Sequence, residues 1–336
     1  VNGYYIKLFS CIDDKLTLKI EDFLWEELIN SDFVQEKKLT IAEHDRLEEP
    51  ITINELRKTV RLSNSNSAPG FDGHSYAFIK KYLNYLETPM LNCFKLWISS
   101  EKVMHNFGIS KVKLTPKKKE LFNLKSWRPI SLLSVYYKTY SGIVAERLKS
   151  VVDKITSDCQ KSYSTTKNIS EVNLDMVNLL KSANFSNTSL AVVSIDFRKA
   201  FDSISHRYII DCLKFFGFGP YFIKLSLACI KGKNGYISNL KNSGETFSIN
   251  CGVAQGDKPS GLFFNIVLEP LLILIQKCNI LQDCMIKEPP DFIGPERPIA
   301  KRLFGYADDL NAIIKACIEN IRRLNEILKN FYLTSG

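Results

Sequence analysis

Tyr306-Ala307-Asp308-Asp309 sets two adjacent carboxylates between two apolar runs, Leu303 to Tyr306 and Leu310 to Ile314. Far upstream, Leu190 to Ile195 reads Leu-Ala-Val-Val-Ser-Ile, a partly β-branched run of strand length that delivers Asp196 at its end. A tight turn between the two flanking runs would hold Asp308 beside Asp196. Carboxylates gathered at a strand end repel one another and are tolerated mainly where divalent cations neutralise them. Such a cluster is the arrangement of a two-metal phosphoryl-transfer site. Two unrelated strand ends capped by solvated aspartates would produce the same two segments, so the rest of the chain has to decide.

Thr52 and Glu55 form a capping box, with Ile51 and Leu56 placed for a hydrophobic staple, and predict a helix to about Leu62. Turn formers fill Ser63 to Gly73, and helical spacing resumes from Ala77 to Ile98. Val112 and Leu114 alternate with Lys111 and Lys113 before Pro116, the pattern of a half-exposed strand. After Asp196, Ser203 to Phe216 has helical periodicity ending at Gly217, and Pro220 is placed to open another helix. Asn242-Ser243-Gly244 between Tyr236–Leu240 and Glu245–Asn250 reads as a hairpin. A loop, Gly252 to Gly256, leads into a long apolar helix from Gly261 to Ile275, and an amphipathic helix spans Ile318 to Tyr332.

The 336 residues exceed one ordinary domain, and 45% hydrophobic with 24% charged residues is a globular composition. The net charge of +9 is unevenly placed, because residues 1 to 50 hold twelve acids and six bases. The basic remainder suits a polyanionic partner, although an ordinary basic protein would look the same. Nine scattered cysteines form no Cys-x-x-Cys pair and lack histidines at zinc-ligand spacing. They read as reduced core thiols of an intracellular protein, cytoplasmic or nuclear. No uninterrupted apolar stretch reaches the length that spans a bilayer, so no membrane partner is expected. The four histidines are isolated and read as surface or capping residues.

Six segments follow in order: Ala68-Pro69-Gly70-Phe71-Asp72-Gly73, Trp127-Arg128-Pro129-Ile130-Ser131-Leu132-Leu133, Gln160-Lys161-Ser162-Tyr163, Asp196-Phe197-Arg198-Lys199-Ala200-Phe201-Asp202, Gly252-Val253-Ala254-Gln255-Gly256-Asp257 and the Tyr-Ala-Asp-Asp box. In this order and spacing the chain resembles the reverse transcriptase of non-LTR (LINE-type) retrotransposons, from about Ile51 to its last residue. The resemblance implies an α+β right-hand polymerase fold. An antiparallel palm sheet backed by helices would occupy residues 190–336, fingers mainly 51–189, and residues 1–50 would be an N-terminal extension. In the family a lysine-bearing strand and a helical thumb follow the Ser335-Gly336 position, so the chain is expected to be a core without its thumb and to extend a primer poorly. Lys258, Gly261, Ser162-Tyr163 and Tyr306 depart from the common family residues, and none is an expected metal ligand.

The activity implied is RNA-directed DNA polymerisation, with an RNA template, a DNA primer, dNTPs and two Mg2+ ions, or Mn2+ in their place. Asp196 and Asp308 would bridge the ions, Asp309 would complete the acidic box, and the Phe197 carbonyl would be a further ligand. Phe201 would exclude a 2′-hydroxyl by its bulk, although a ring at a helix start also reads as core. Gln255 and Gly256 would line the nucleotide pocket. Seven bases against one acid occupy 111–128. Arg128, fixed by a buried Trp127, would grip the triphosphate with one of Lys113, Lys117 or Lys118, whereas a solvated loop or a nuclear localisation signal is the alternative for this stretch. An inactive nucleic-acid-binding remnant and an RNA-dependent RNA polymerase are the competing functions; Phe201 and the Gln-Gly-Asp argue against the latter.

Overall fold

The computed structural model describes residues 2–10, 16–116, 124–164, 168–185, 187, 189–238, 246–278 and 303–336. Its strands are β1 (Ile109–Pro116), β2 (Trp127–Leu132), β3 (Leu190–Asp196), β4 (Lys233–Ile237), β5 (Phe247–Ile249), β6 (Leu303–Tyr306) and β7 (Asp309–Lys315), set among more numerous helices. The mixture of helices and two separate sheets is α+β. Two compact units interleave along the sequence: 1–14, 39–150 and 199–263 form the first, and 15–38, 151–198 and 264–336 the second. Neither unit is one contiguous stretch of sequence, because the chain passes repeatedly between them.

In the first unit the strand order is β2-β1-β4-β5, with β1 and β4 parallel and the other neighbours antiparallel. The alternation read from Lys111 to Leu114 is realised, with Val112 and Leu114 buried and the two lysines exposed. The buried face packs Val112, Leu114, Ile237, Phe247 and Ile249 against Tyr5 and Phe9 beneath it. Trp127 joins that packing half-buried, not fully buried as expected. Thr52 and Glu55 make both bonds of the capping box at the start of the Ile53–Leu62 helix. The Ala77–Ile98 periodicity is broken at Tyr82 into helices Tyr76–Lys81 and Leu83–Ser100. Asp72 accepts from the Ser134 hydroxyl at 2.5 Å, tying the Ala68–Gly73 block to the residue just after the Trp127–Leu133 block.

The second unit carries an antiparallel sheet in the order β3-β7-β6. Val172 and Leu179 of the Ile169–Phe185 helix pack on Phe304 and Ile313, which by the strand register lie on the same sheet face as Asp196 and Asp309. The Ile318–Ser335 helix buries Asn320, Leu324, Ile327 and Phe331 at i, i+4, i+7 and i+11, the single buried stripe of an amphipathic helix.

Residues 1–50 form no separate body. In the first unit the Asn2–Leu8 helix supplies Tyr5, and the Glu48 carboxylate accepts from Tyr221 and Phe222 N–H (2.9 and 2.8 Å), capping the Pro220–Ile230 helix. In the second unit Thr17 N–H donates to Leu333 and Phe23 packs on Phe331. Lys37 forms a buried ion pair with Glu269 at 3.0 Å. The Ser260–Lys277 helix is the one described helix long and apolar enough to cross a membrane, yet it is mostly buried within the protein and carries that glutamate. The seven cysteines among the described residues are free thiols.

Candidate active site

Antiparallel pairing of β3 with β7 sets Leu190 opposite Lys315 and Asp196 opposite Asp309. Directly opposed residues project from the same face of a sheet, so the Asp196 and Asp309 side chains share one face at one end. The β6–β7 hairpin closes with Tyr306 opposite Asp309 across a two-residue turn, Ala307-Asp308. The residue directly across from Asp196 is thus Asp309, because the short turn makes the second aspartate the first residue of β7, and Asp308 stands next to it in the turn. One step further along the same face, Ser194 Oγ donates to Asn311 Oδ1 at 2.7 Å and fixes the register.

Asp196 and Asp309 are exposed and Asp308 half-exposed. Among the described residues no three His, Cys, Asp or Glu side chains are gathered into a cage that would enclose a metal by themselves. Mg2+ is commonly held by one or two carboxylates with waters and substrate phosphates completing its octahedron, and an open pair on one sheet face fits that habit. Tyr163 lies near this turn: burial raises its phenol above the usual range, and the Asp308 charge raises it further. The Phe197 ring packs edge-on against Phe331 at 6.2 Å, which holds the backbone just beyond Asp196.

The first unit joins the other expected residues into a second cluster. Phe201 is half-buried, neither sealed in the core nor free in solvent. Its carbonyl accepts from Val253 N–H at 2.7 Å, and Asp202 accepts from Gln255 Nε2 at 2.9 Å. The Phe201-Asp202 segment and the Gly252–Gly256 loop are therefore laced together. Gly252 makes this possible, since a Cβ there would meet the Phe201 and Asp202 carbonyl oxygens at 2.6 Å. At Gly256 the requirement within the protein is a backbone φ of +100°, since a Cβ would meet only ordinary contact there. Arg128 is exposed on β2 opposite Thr115, on the same sheet face as Lys113 and Lys111. Lys117 and Lys118 lie outside the described residues.

Three roles escaped the sequence reading. Asp257 is buried and accepts from Tyr137 (2.5 Å), Ser141 (2.6 Å) and Lys233 (3.3 Å), so the acid after Gln255-Gly256 anchors that loop. Burial first, and then the Asp257 charge, lift the Tyr137 phenol well above its ordinary value. His206 is buried, with Nε2 2.8 Å from the Gly252 carbonyl, which corrects its expected surface role. Gln160 holds the Ala307 peptide on both sides. Residue type alone gives no signal for these roles. Membership of the ordered blocks does so for Gln160 and Asp257, whereas His206 lies outside every block.

The sequence matches the family described as reverse transcriptase (RNA-dependent DNA polymerase) over residues 115–336. It is 29% identical over 329 residues to the transposon TX1 uncharacterized 149 kDa protein of Xenopus laevis, covering 94% of this chain and 23% of that protein. The Pol polyprotein of the type-2 retrotransposable element R2DM of Drosophila melanogaster is 28% identical over 229 residues, 68% of this chain and 21% of the relative. The corresponding polyprotein of a type-1 element R2 of Popillia japonica is 29% identical over 256 residues, 73% and 32% respectively. The chain belongs to the reverse transcriptase family. It spans between a fifth and a third of the length of these relatives.

Proposed function

We propose that this chain is the polymerase core of a non-LTR retrotransposon protein, copying an RNA template by adding dNTPs to a DNA primer. The observation that carries the proposal is Asp196 facing Asp309 on one sheet face, with Asp308 in the turn between β6 and β7. On this reading the β3-β7-β6 sheet is the palm and the β1–β2 pair belongs to the fingers.

Asp196, Asp308, Asp309 and the Phe197 carbonyl would hold two Mg2+ ions, which when bound stabilise the attacking and leaving oxygens of an in-line displacement. The protein's own contribution is placement. Arg128, with the lysines sharing its sheet face, offers donors to triphosphate oxygens without any need for proton transfer. Phe201, held at its carbonyl by Val253, would stand against the sugar and leave no space for a 2′-hydroxyl. Gln255 has one amide donor committed to Asp202, so its role is to hold the loop in which Gly256 is exposed.

Primer extension tests the reading. With a DNA primer on an RNA template, dNTPs and Mg2+, the chain should add nucleotides. Asp196→Asn should abolish addition while template-primer binding, and its salt dependence, persist. Absence of any addition by the unmodified chain with either Mg2+ or Mn2+ would overturn it.

A further inference from the structure

We infer that Gln160 is a positioning residue for the metal-binding turn: its side-chain amide clasps the Ala307 peptide and so sets where Asp308 and Asp309 stand. The inference rests on the polymerase reading only for the identity of what the turn binds.

Ala307 has φ +55°, left-handed backbone that costs a residue with a Cβ about 1 kcal/mol. A turn built on such a residue needs support from outside. Gln160 is fully buried and supplies it twice, accepting from Ala307 N–H through Oε1 at 3.0 Å and donating from Nε2 to the Ala307 carbonyl at 3.1 Å. This pairing fixes the amide orientation, since a flipped Gln160 would set donor against donor and acceptor against acceptor. The backbone on either side of Gln160 joins in. Gly305 N–H donates to Cys159 at 2.8 Å and Lys161 N–H to Gly305 at 3.0 Å, a short parallel bridge along the outer edge of β6.

The clasp is itself held rigid. Ser162 N–H and Oγ both donate to Gln160 Oε1 (3.2 and 2.9 Å), and Asn265 Nδ2 donates to the Ser162 carbonyl at 2.7 Å. At the other end Glu269, one helical turn beyond Asn265, accepts from Ser157 N–H at 2.8 Å and from the Ser157 hydroxyl. One buried helix thus grips both ends of residues 157–162, and the segment presents Gln160 to the turn. The arrangement gives Gln160 no part in touching metal or nucleotide. It acts through Ala307.

The test uses Gln160→Glu, which keeps size and shape but turns a second oxygen toward the Ala307 carbonyl, and Gln160→Met, which keeps bulk and removes both bonds. Each is compared with the unmodified chain and with Asp196→Asn, after circular dichroism shows native helix content. Mn2+ affinity, read by electron paramagnetic resonance, needs no turnover. Extension rate at saturating dNTP is measured in parallel. Both variants should bind Mn2+ about tenfold more weakly and extend about ten- to a hundredfold more slowly, with the KM for dNTP little changed, the scale of a misplacement near 1 Å. Ala307→Gly, which takes a positive φ freely, should shrink the loss caused by Gln160→Met. Mn2+ affinity in both Gln160 variants equal to that of the unmodified chain would overturn the inference. If Asp196→Asn alone lost extension in that case, the polymerase reading would stand without it. If no protein extended a primer but Mn2+ binding weakened as described, the positioning role would stand and the polymerase reading would fall.

Discussion

Lys37→Met should destabilise the second unit by about 3 kcal/mol, although Lys37 lies far from the aspartates in sequence. Glu269 is fully buried, and Lys37 Nζ stands 3.0 Å from its Oε1 with its own side chain only 9% exposed. Removing one partner of a buried pair costs roughly 3–5 kcal/mol, because the remaining charge is left uncompensated in a poor solvent. The lower end applies here, since Ser157 still gives Glu269 two hydrogen bonds. With a urea dependence of about 3 kcal/mol per molar, the unfolding midpoint should fall by about 1 M. Lys37→Met combined with Glu269→Gln removes both charges, and the amide oxygen still accepts from Ser157 N–H while its NH2 donates to the Ser157 hydroxyl, so it should recover most of the loss. Urea titration of the three variants, followed by circular dichroism, checks this. A single variant within 1 kcal/mol of the unmodified chain, or a double variant no better than the single, would refute the claim that residues 15–38 are an integral part of the second unit.

Asp257→Ala should destabilise the first unit on a similar scale, about 3 kcal/mol, because Lys233 is left buried without its carboxylate; Asp257→Ala with Lys233→Met should be milder by urea titration. Phe201→Val should raise ribonucleotide incorporation relative to deoxynucleotide in side-by-side kinetics, whereas equal loss of both would make Phe201 a packing residue only. Glu55 is pushed up by burial, but its hydrogen bonds from Arg147 and Thr52 outweigh that and hold it below the usual carboxylate range. Its contribution is therefore present above the unfolded value near 4.5 and lost as pH falls through the lower folded value. Thermal melts of Glu55→Gln and the unmodified chain should differ at neutral pH and converge in acid; a constant gap would contradict this.

The strands that carry the aspartates were legible because each is a short apolar run with acid at one end, and the β6–β7 turn was legible because only three residues, Ala307-Asp308-Asp309, separate the runs. Helix caps were equally plain at Thr52 and Pro220, where local chemistry decides the structure. What the pattern could not give was anything set by contact between distant segments. Asp309, not Asp308, faces Asp196 because of hairpin register. Gln160 and Asp257 look like ordinary polar residues until the fold brings Ala307 and Lys233 to them. Residues 1–50 carry no motif, and their distribution into two bodies follows from which apolar surfaces they cover.

The central claim is that Asp196, Asp308 and Asp309 hold the divalent ions of a nucleotidyl transfer site. Mn2+ titration by electron paramagnetic resonance, with template-primer and a non-hydrolysable dNTP analogue present, tests it without relying on turnover. The account expects two Mn2+ per chain, with both lost or strongly weakened in Asp196→Asn and in Asp308→Asn. Unchanged Mn2+ stoichiometry and affinity in both variants would contradict it.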